Sequence, residues 1–261
     1  MPAYALDHVA IAVPEWGTWG AVFREKFGAE WQHGNLTGPM APCQIKFRND
    51  MRVELIAPGT DSENFVQKYL DNVGGCAPHH MTFKVSDLDA TLAAIEAAGG
   101  EPILVNRSFP NWQEAFLHPK ATGLGILVQV AQQSEPEDGW GPGESSPWPP
   151  TTAPAWAFEN VFLEVADFER TDNVYVRMLG ATARDLPTES GFARRGYRWD
   201  KGAEIIALVD EQEPATHGVT GFGLVAPDEV DVDSFGKPEQ RTDGYSHHLA
   251  WPDLRLDFLL K

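Results

Sequence analysis

One segment recurs along this chain, and a recurrence constrains a fold more than any local propensity does. It is first met as Asp7-His8-Val9-Ala10-Ile11-Ala12-Val13-Pro14-Glu15. It returns as His79-His80-Met81-Thr82-Phe83-Lys84-Val85-Ser86-Asp87, and again as Glu159-Asn160-Val161-Phe162-Leu163-Glu164-Val165-Ala166-Asp167. Aligned on His8, His80 and Asn160, each copy has apolar residues one and three places on, valine at the fifth and an acid at the seventh. A weaker fourth copy starts at Gly221 and reaches its acid at Asp228. The starts lie 72, 80 and 61 residues apart, a spacing that suits a strand-helix-strands module better than a short solenoid repeat. Four such modules pair most simply into two domains.

Residues 5–13 alternate as a strand. The segment 14–27 carries Trp16, Trp19, Phe23 and Phe27 at helical spacing, with Gly28 as a stop. Two strands are expected within 42–57, joined by a turn at Asn49-Asp50, and a connecting helix capped by Ser62 with Phe65, Tyr69 and Leu70 inward. After the His80 strand, 87–98 reads as an amphipathic helix closed by Gly99-Gly100, and three more strands follow to residue 131. Residues 1–132 are thus expected to form one domain. Residues 133–155, rich in Pro, Gly and Ser, read as a linker. Its tryptophans, Trp140 and Trp148 with Trp156 beside it, are expected to pack on a neighbouring surface. Residues 156–261 repeat the pattern as a worn second domain, with a helix near 167–179 stopped by Gly180.

A strand sends successive side chains to opposite faces, so one member of His79-His80 is expected to face inward. His80 is the choice, because Thr82 and Lys84 share its face and could line a polar cup. His79 is expected outside the cup or behind it. The formal charge of −18 argues against a nucleic-acid partner and offers anionic substrates no general attraction. No membrane is implied, since no run approaches the length of an apolar span and no leader pattern opens the chain. Two cysteines, Cys43 and Cys76, make no disulfide framework, so a reducing cytoplasm is the expected setting.

These modules resemble the vicinal oxygen chelate superfamily, the glyoxalase, bleomycin-resistance and extradiol-dioxygenase group, and within it the methylmalonyl-CoA epimerase-like branch. The resemblance rests on Leu6 to Pro14, Val53-Glu54-Leu55-Ile56-Ala57-Pro58, His79-His80-Met81 and His118-Pro119-Lys120-Ala121-Thr122-Gly123, and covers residues 5–131. It implies an α+β fold of tandem βαβββ modules paired into two vicinal-oxygen-chelate-type domains. It further implies four metal-facing slots on the floor of an eight-stranded cup, which fall here on His8, Glu54, His80 and Gln129. Such a donor set suits one borderline divalent ion, with Co, Mn, Zn, Ni, Mg and Fe undistinguished. The ion would polarise a carbonyl and stabilise an enolate beside it.

The implied activity is a metal-dependent isomerase, epimerase or lyase acting on a small enolisable carbonyl compound. Glu54 is the expected catalytic carboxylate, as ligand, base or both, and Gln44, His118 and Lys120 are the expected substrate contacts. The branch uses two carboxylates on opposite faces of the substrate carbon, and the slots aligned with them hold Gln44 and Gln129, which cannot take a proton. One-base isomerisation or elimination is therefore the easier chemistry. An Fe(II) extradiol-type ring-cleaving dioxygenase and a non-catalytic, ligand-sequestering protein are the alternatives. In the second domain the corresponding slots are read as Asn160, Glu204, Gly221 and Asp257, without a histidine. Monomer and homodimer both stay open.

Overall fold

The structure is a computed structural model that describes residues 4–62, 64–134, 145–235, 237–239, 241 and 243–261. Sixteen strands form two eight-stranded mixed sheets. The first sheet contains β1 (Tyr4–Ala12), β2 (Glu30–Gly34), β3 (Met40–Lys46), β4 (Arg52–Pro58), β5 (Ala77–Val85), β6 (Pro102–Phe109), β7 (Trp112–Leu117) and β8 (Leu127–Gln133). Their spatial order is β2-β3-β4-β1-β5-β8-β7-β6, so the two repeat strands β1 and β5 lie side by side at the centre. The second sheet contains β9 (Ala157–Glu164), β10 (Thr182–Glu189), β11 (Phe192–Arg198), β12 (Glu204–Asp210), β13 (Gly218–Val225), β14 (Lys237–Pro238), β15 (His247–Trp251) and β16 (Leu256–Leu260). It repeats the same order, β10-β11-β12-β9-β13-β16-β15-β14, as the tandem βαβββ reading expects.

The helices begin and end where side chains can satisfy their free backbone groups. In α1 (Trp16–Phe27), Glu15 accepts from the Thr18 N–H at 3.0 Å, and Gly28 closes the helix at φ 59°. The helix α2 (Phe65–Val73) is capped by Asn64, whose Oδ1 takes the Val66 and Gln67 N–H groups, and not by Ser62. Its buried side chains are Val66 and Leu70, while Phe65 is exposed. The helix α3 (Leu88–Ala97) starts on Asp87, and α4 (Pro119–Thr122) is a single turn capped by the His118 ring. In the third module α5 (Phe168–Asp172) runs into a π-helical turn over Asn173–Met178 before Gly180. The fourth module has only a 3₁₀ turn at Val232–Ser234 in place of a helix. Among the described residues no helix is long and apolar enough to cross a membrane.

One core spans both sheets. Phe23 and Phe27 of α1 meet Phe258 of β16, with ring centroids 6.1 and 5.5 Å apart. Phe47 meets Phe158 at 5.4 Å, and Phe83 meets Trp199 at 4.8 Å and Tyr175 at 6.0 Å. The connecting chain is pinned to α1: Trp156 is fully buried against Phe27, and Trp148 packs on Trp31 under the Arg24 guanidinium. Trp140 and the rest of residues 135–144 in the Pro/Gly/Ser-rich stretch lie outside the described residues. Cys43 and Cys76 are free, buried thiols.

Candidate metal centre

Two β-bulges shape the floor of the first sheet. Between β1 and β5, Leu6 pairs with Phe83 and His8 with Thr82, which leaves Asp7 as the extra residue. Further on, Ala10 pairs with His80 and Ile11 with Pro78, which leaves His79 as another. A bulge breaks the two-residue alternation and can bring consecutive side chains toward one face. Asp7 and His8 accordingly line one cavity, and so do His79 and His80. The expectation that only one of the two histidines faces inward is corrected here, because strict alternation does not survive the bulge.

The cavity has a volume of about 880 Å³. On its floor the Nε2 atoms of His8 and His80 lie 3.5 and 3.6 Å from the same Glu54 oxygen, Oε2. The three donor atoms all fall within 4.8 Å of one another, and all three residues are buried. Donors held about 2.1 Å from one ion at tetrahedral or octahedral angles are roughly 3–3.5 Å apart. This donor set therefore fits a divalent ion in both chemistry and spacing.

Each donor is oriented from behind. The His8 Nδ1 lies 2.8 Å from Asp7 Oδ2, and Asp7 is itself held by Arg52 at 2.6 Å and Lys84 at 3.1 Å. Carboxylates placed behind imidazoles in this way fix the tautomer and raise the basicity of the facing nitrogen. Burial opposes charge on His8, but Glu54 and Asp7 outweigh it and hold its pKa at about 9. On His80, burial and then the neighbouring His79 push the pKa well below the ordinary imidazole value. Its Nδ1 lies 2.9 Å from the His79 Nδ1, and burial lowers the His79 pKa to about 4. The tautomer of His80 that offers Nε2 to an ion is the one in which Nδ1–H donates to His79. Glu54 Oε1 accepts from the Gln44 amide at 3.1 Å. Burial favours the neutral acid on Glu54, yet the His8 charge dominates and brings its pKa down to about 2.

Gln129 sits beside this group with its amide committed elsewhere. Its Oε1 accepts from the Thr82 hydroxyl, which lies 2.8 Å from His8 Nε2, and its Nε2 donates to Glu114 Oε2 at 2.6 Å. Gln129 Oε1 keeps a second lone pair beside the one that accepts from Thr82. Glu114 lines the same cavity and is the carboxylate that sequence reasoning missed. Its position is implied by alternation on β7: Phe116 pairs with Gln129, and Glu114 lies two places away on the same face. Asp7 and His33 line the cavity as well and were also missed.

His118 and Lys120 do not line the cavity. His118 Nδ1 accepts the Lys120 backbone N–H, and the turn they belong to meets the second half at Thr216, whose hydroxyl donates to Gly123 at 3.3 Å.

The second sheet's slots are shifted from the sequence reading. Asn160 corresponds to His8 and Gly221 to His80, but Ala10 pairs with Glu54 where Phe162 pairs with Ile206. Thr82 pairs with Gln129 where Gly223 pairs with Leu259. The slots equivalent to Glu54 and Gln129 thus hold Ile206 and Leu259, not Glu204 and Asp257. With Phe162 and Tyr245 they form an apolar plug on that floor. Glu204 is instead clamped by Arg184 at 2.9 Å through both oxygens, and Tyr245 donates to Asn160.

Residues 7–116 match the Glyoxalase/Bleomycin resistance protein/Dioxygenase superfamily. Over those residues the chain is similar to this superfamily. Among solved structures, a 4-hydroxymandelate synthase variant from Streptomyces coelicolor is 14% identical and covers 87% of this chain and 72% of its own, with a TM-score of 0.59. That match spans both sheets and shows the shared fold. Methylmalonyl-CoA epimerase from Mycobacterium tuberculosis is 24% identical over 50% of this chain and 89% of its own, with a TM-score of 0.45. A Streptomyces coelicolor methylmalonyl-CoA epimerase variant in complex with 2-nitronate-propionyl-CoA is 24% identical over 50% and 98%, with a TM-score of 0.44. No curated protein matches the chain significantly.

Proposed function

We propose that the chain is a metal-dependent isomerase, epimerase or lyase acting on an enolisable carbonyl compound, with its working site in residues 1–132. Residues 156–261 serve as a structural partner joined through the 133–155 linker. The observation that carries this reading is the buried His8–Glu54–His80 group on the floor of a large cavity. These three residues would hold one divalent ion, with the second lone pair of Gln129 Oε1 as a fourth donor. The ion, when bound, polarises a carbonyl and lowers the cost of negative charge on its oxygen.

The proton work falls to the carboxylates. Both oxygens of Glu54 are engaged, one between two imidazoles and the other by Gln44, so it acts chiefly as a donor to the ion. Glu114 receives the Trp112 indole N–H and the Gln129 amide on one oxygen, Oε2, while Oε1 has no partner among the described residues. That oxygen is the group we assign to take a proton from carbon and return it. Gln44, on the cavity wall beside Glu54, orients the substrate head.

Elemental mass spectrometry of purified protein, with His80→Ala alongside, tests the centre. About one ion per chain, lost in the variant, is expected for a site of this donor set. No ion in either sample after metals are added back would sink the enzyme reading in favour of a sequestering protein. Two imidazoles and one carboxylate also compose the donor set of non-haem Fe(II) oxygen chemistry. Iron in the sample together with oxygen uptake on a catechol would shift the assignment to a ring-cleaving dioxygenase.

A further inference from the structure

The mouth of the cavity differs in character from its floor. Among the described residues five large apolar side chains stand markedly exposed: Leu36, Phe65, Leu104, Val105 and Phe109. Four of these five line this one cavity. Scattered apolar side chains on a surface need no explanation, but convergence on one opening marks a binding surface. Ile56, Phe116 and Leu127 continue the apolar wall down toward the donors.

The edge that presents this rim is strained. On β6 the pairing with β7 slips between Ile103 and Asn106, and Leu104 within the slip has φ 52°. A non-glycine residue in that region brings its Cβ against the backbone and is disfavoured. Such strain persists where the surrounding structure imposes it, and it gathers at binding sites. Here it holds Leu104, 70% exposed, at the opening.

Charge at the cavity is equally selective. Among the described residues, and apart from histidines, Lys84 is the one cationic side chain lining it, and Lys84 is paired with Asp7 at 3.1 Å. A polyphosphate group demands several cationic or N–H contacts, and this lining does not supply them. A divalent ion would face two carboxylates in this cavity, Glu54 and Glu114, so the lining leaves little positive charge for a substrate head. The volume of about 880 Å³ lies near the upper end of sites for drug-sized ligands.

We infer that the substrate is a carbonyl compound with a bulky, uncharged apolar body, seated against the Phe65–Leu104–Phe109 rim, and at most one negative charge at its head. Phosphate-bearing carrier thioesters such as coenzyme A esters are excluded. The head-group half of this inference rests on the metal-centre reading above, and the apolar half stands on the rim alone.

Isothermal titration calorimetry on the full chain tests it with three probes: benzoylacetone, acetylacetone and propionyl-CoA. The first two share an enolisable dicarbonyl head and differ by a phenyl ring. Benzoylacetone is expected to bind at least about tenfold more tightly than acetylacetone, a difference of about 1.4 kcal/mol. The double variant Leu104→Ser, Phe109→Ser, both exposed positions, is expected to erase that preference, and propionyl-CoA is expected not to bind. Equal affinity for the two diketones, tighter binding of propionyl-CoA, or no benzoylacetone binding at about 1 mM overturns the inference. Repeating the titration after chelator treatment separates the two readings. A phenyl preference indifferent to metal upholds the rim and counts against the metal centre. Metal-dependent binding of both diketones without preference does the reverse.

Discussion

At the scale of single residues, the site is a chain of orienting contacts ending on three donors. Asp7 is the most consequential of those behind them, because it faces His8, Arg52 and Lys84 together. Asp7→Asn leaves buried positive charge unpaired and frees the His8 ring. The expected result is metal affinity weakened 10–100-fold and stability lowered by about 3–5 kcal/mol, read by metal titration and urea unfolding. His8 also sets a pH dependence. An ion must displace its proton, so metal affinity is expected to strengthen as pH rises toward about 9, the pKa held up by Glu54 and Asp7 against burial. In the metal-free protein the sign for stability is the opposite. A raised pKa adds stability that is full below the ordinary 6.5 and is lost as pH rises through about 9. Glu54, lowered to about 2, adds stability that is full above 4.5 and is lost as pH falls through 2. His79 and His80, held below the ordinary imidazole value by burial, resist the protonation that unfolding allows, so they lower stability as pH falls beneath 6.5. The melting temperature of chelator-treated protein is therefore expected to peak near pH 6.5 and to fall toward both pH 4 and pH 9. Metal-loaded protein should lack the alkaline fall, and a flat metal-free profile would contradict the assignment.

Among the elements, the ends of α1 show how far local signals reach. Gly28 stops it as the sequence suggests, and Glu15 caps its start, yet Gly28 has a second duty that no local pattern reveals. At φ 59° a Cβ there would also meet the Pro154 carbonyl oxygen at 2.3 Å, from a segment more than a hundred residues away. Gly28→Ala is therefore expected to cost about 3 kcal/mol, since left-handed strain and overpacking add; thermal unfolding would measure it. A cost below 1 kcal/mol would show that the connecting segment yields. Strand registers behave in the same way. The sequence reading placed the second-sheet slots two residues away from where pairing puts two of them. A parallel neighbour recruited across forty residues leaves no mark in either strand alone, and a shift of two keeps the same face.

For the whole molecule, the shared core decides whether the two sheets are separate bodies. Phe258 touches Phe23, Phe27, Phe222 and Trp251, so a side chain of the last strand supports the first helix. Phe258→Ala is expected to lower the stability of the full chain by about 3–5 kcal/mol. Circular dichroism and tryptophan fluorescence should still report one coincident unfolding transition. Two separated transitions, with only the later-folding half affected, would show that the sheets are energetically independent. Their floors differ in chemistry: one carries the buried His8–Glu54–His80 group, and the other carries the Phe162–Ile206–Tyr245–Leu259 plug.

The repeat itself, the tandem βαβββ order, and the extents of α1 and α3 were legible in the sequence. Each follows from short-range rules: alternation, helical spacing, and residues that cap or stop a helix. His8, Glu54 and His80 were named from the family resemblance, and the structure brings these three together in one buried group. Tertiary structure alone decided the rest. Bulges between β1 and β5 turned Asp7 and His79 toward the cavity, a hairpin register set Glu114 against Gln129, and a slipped edge strand raised Leu104 into the opening. The physical reason is common to all three. Bulge and register are properties of two strands hydrogen-bonded to each other, so neither strand's own sequence contains them.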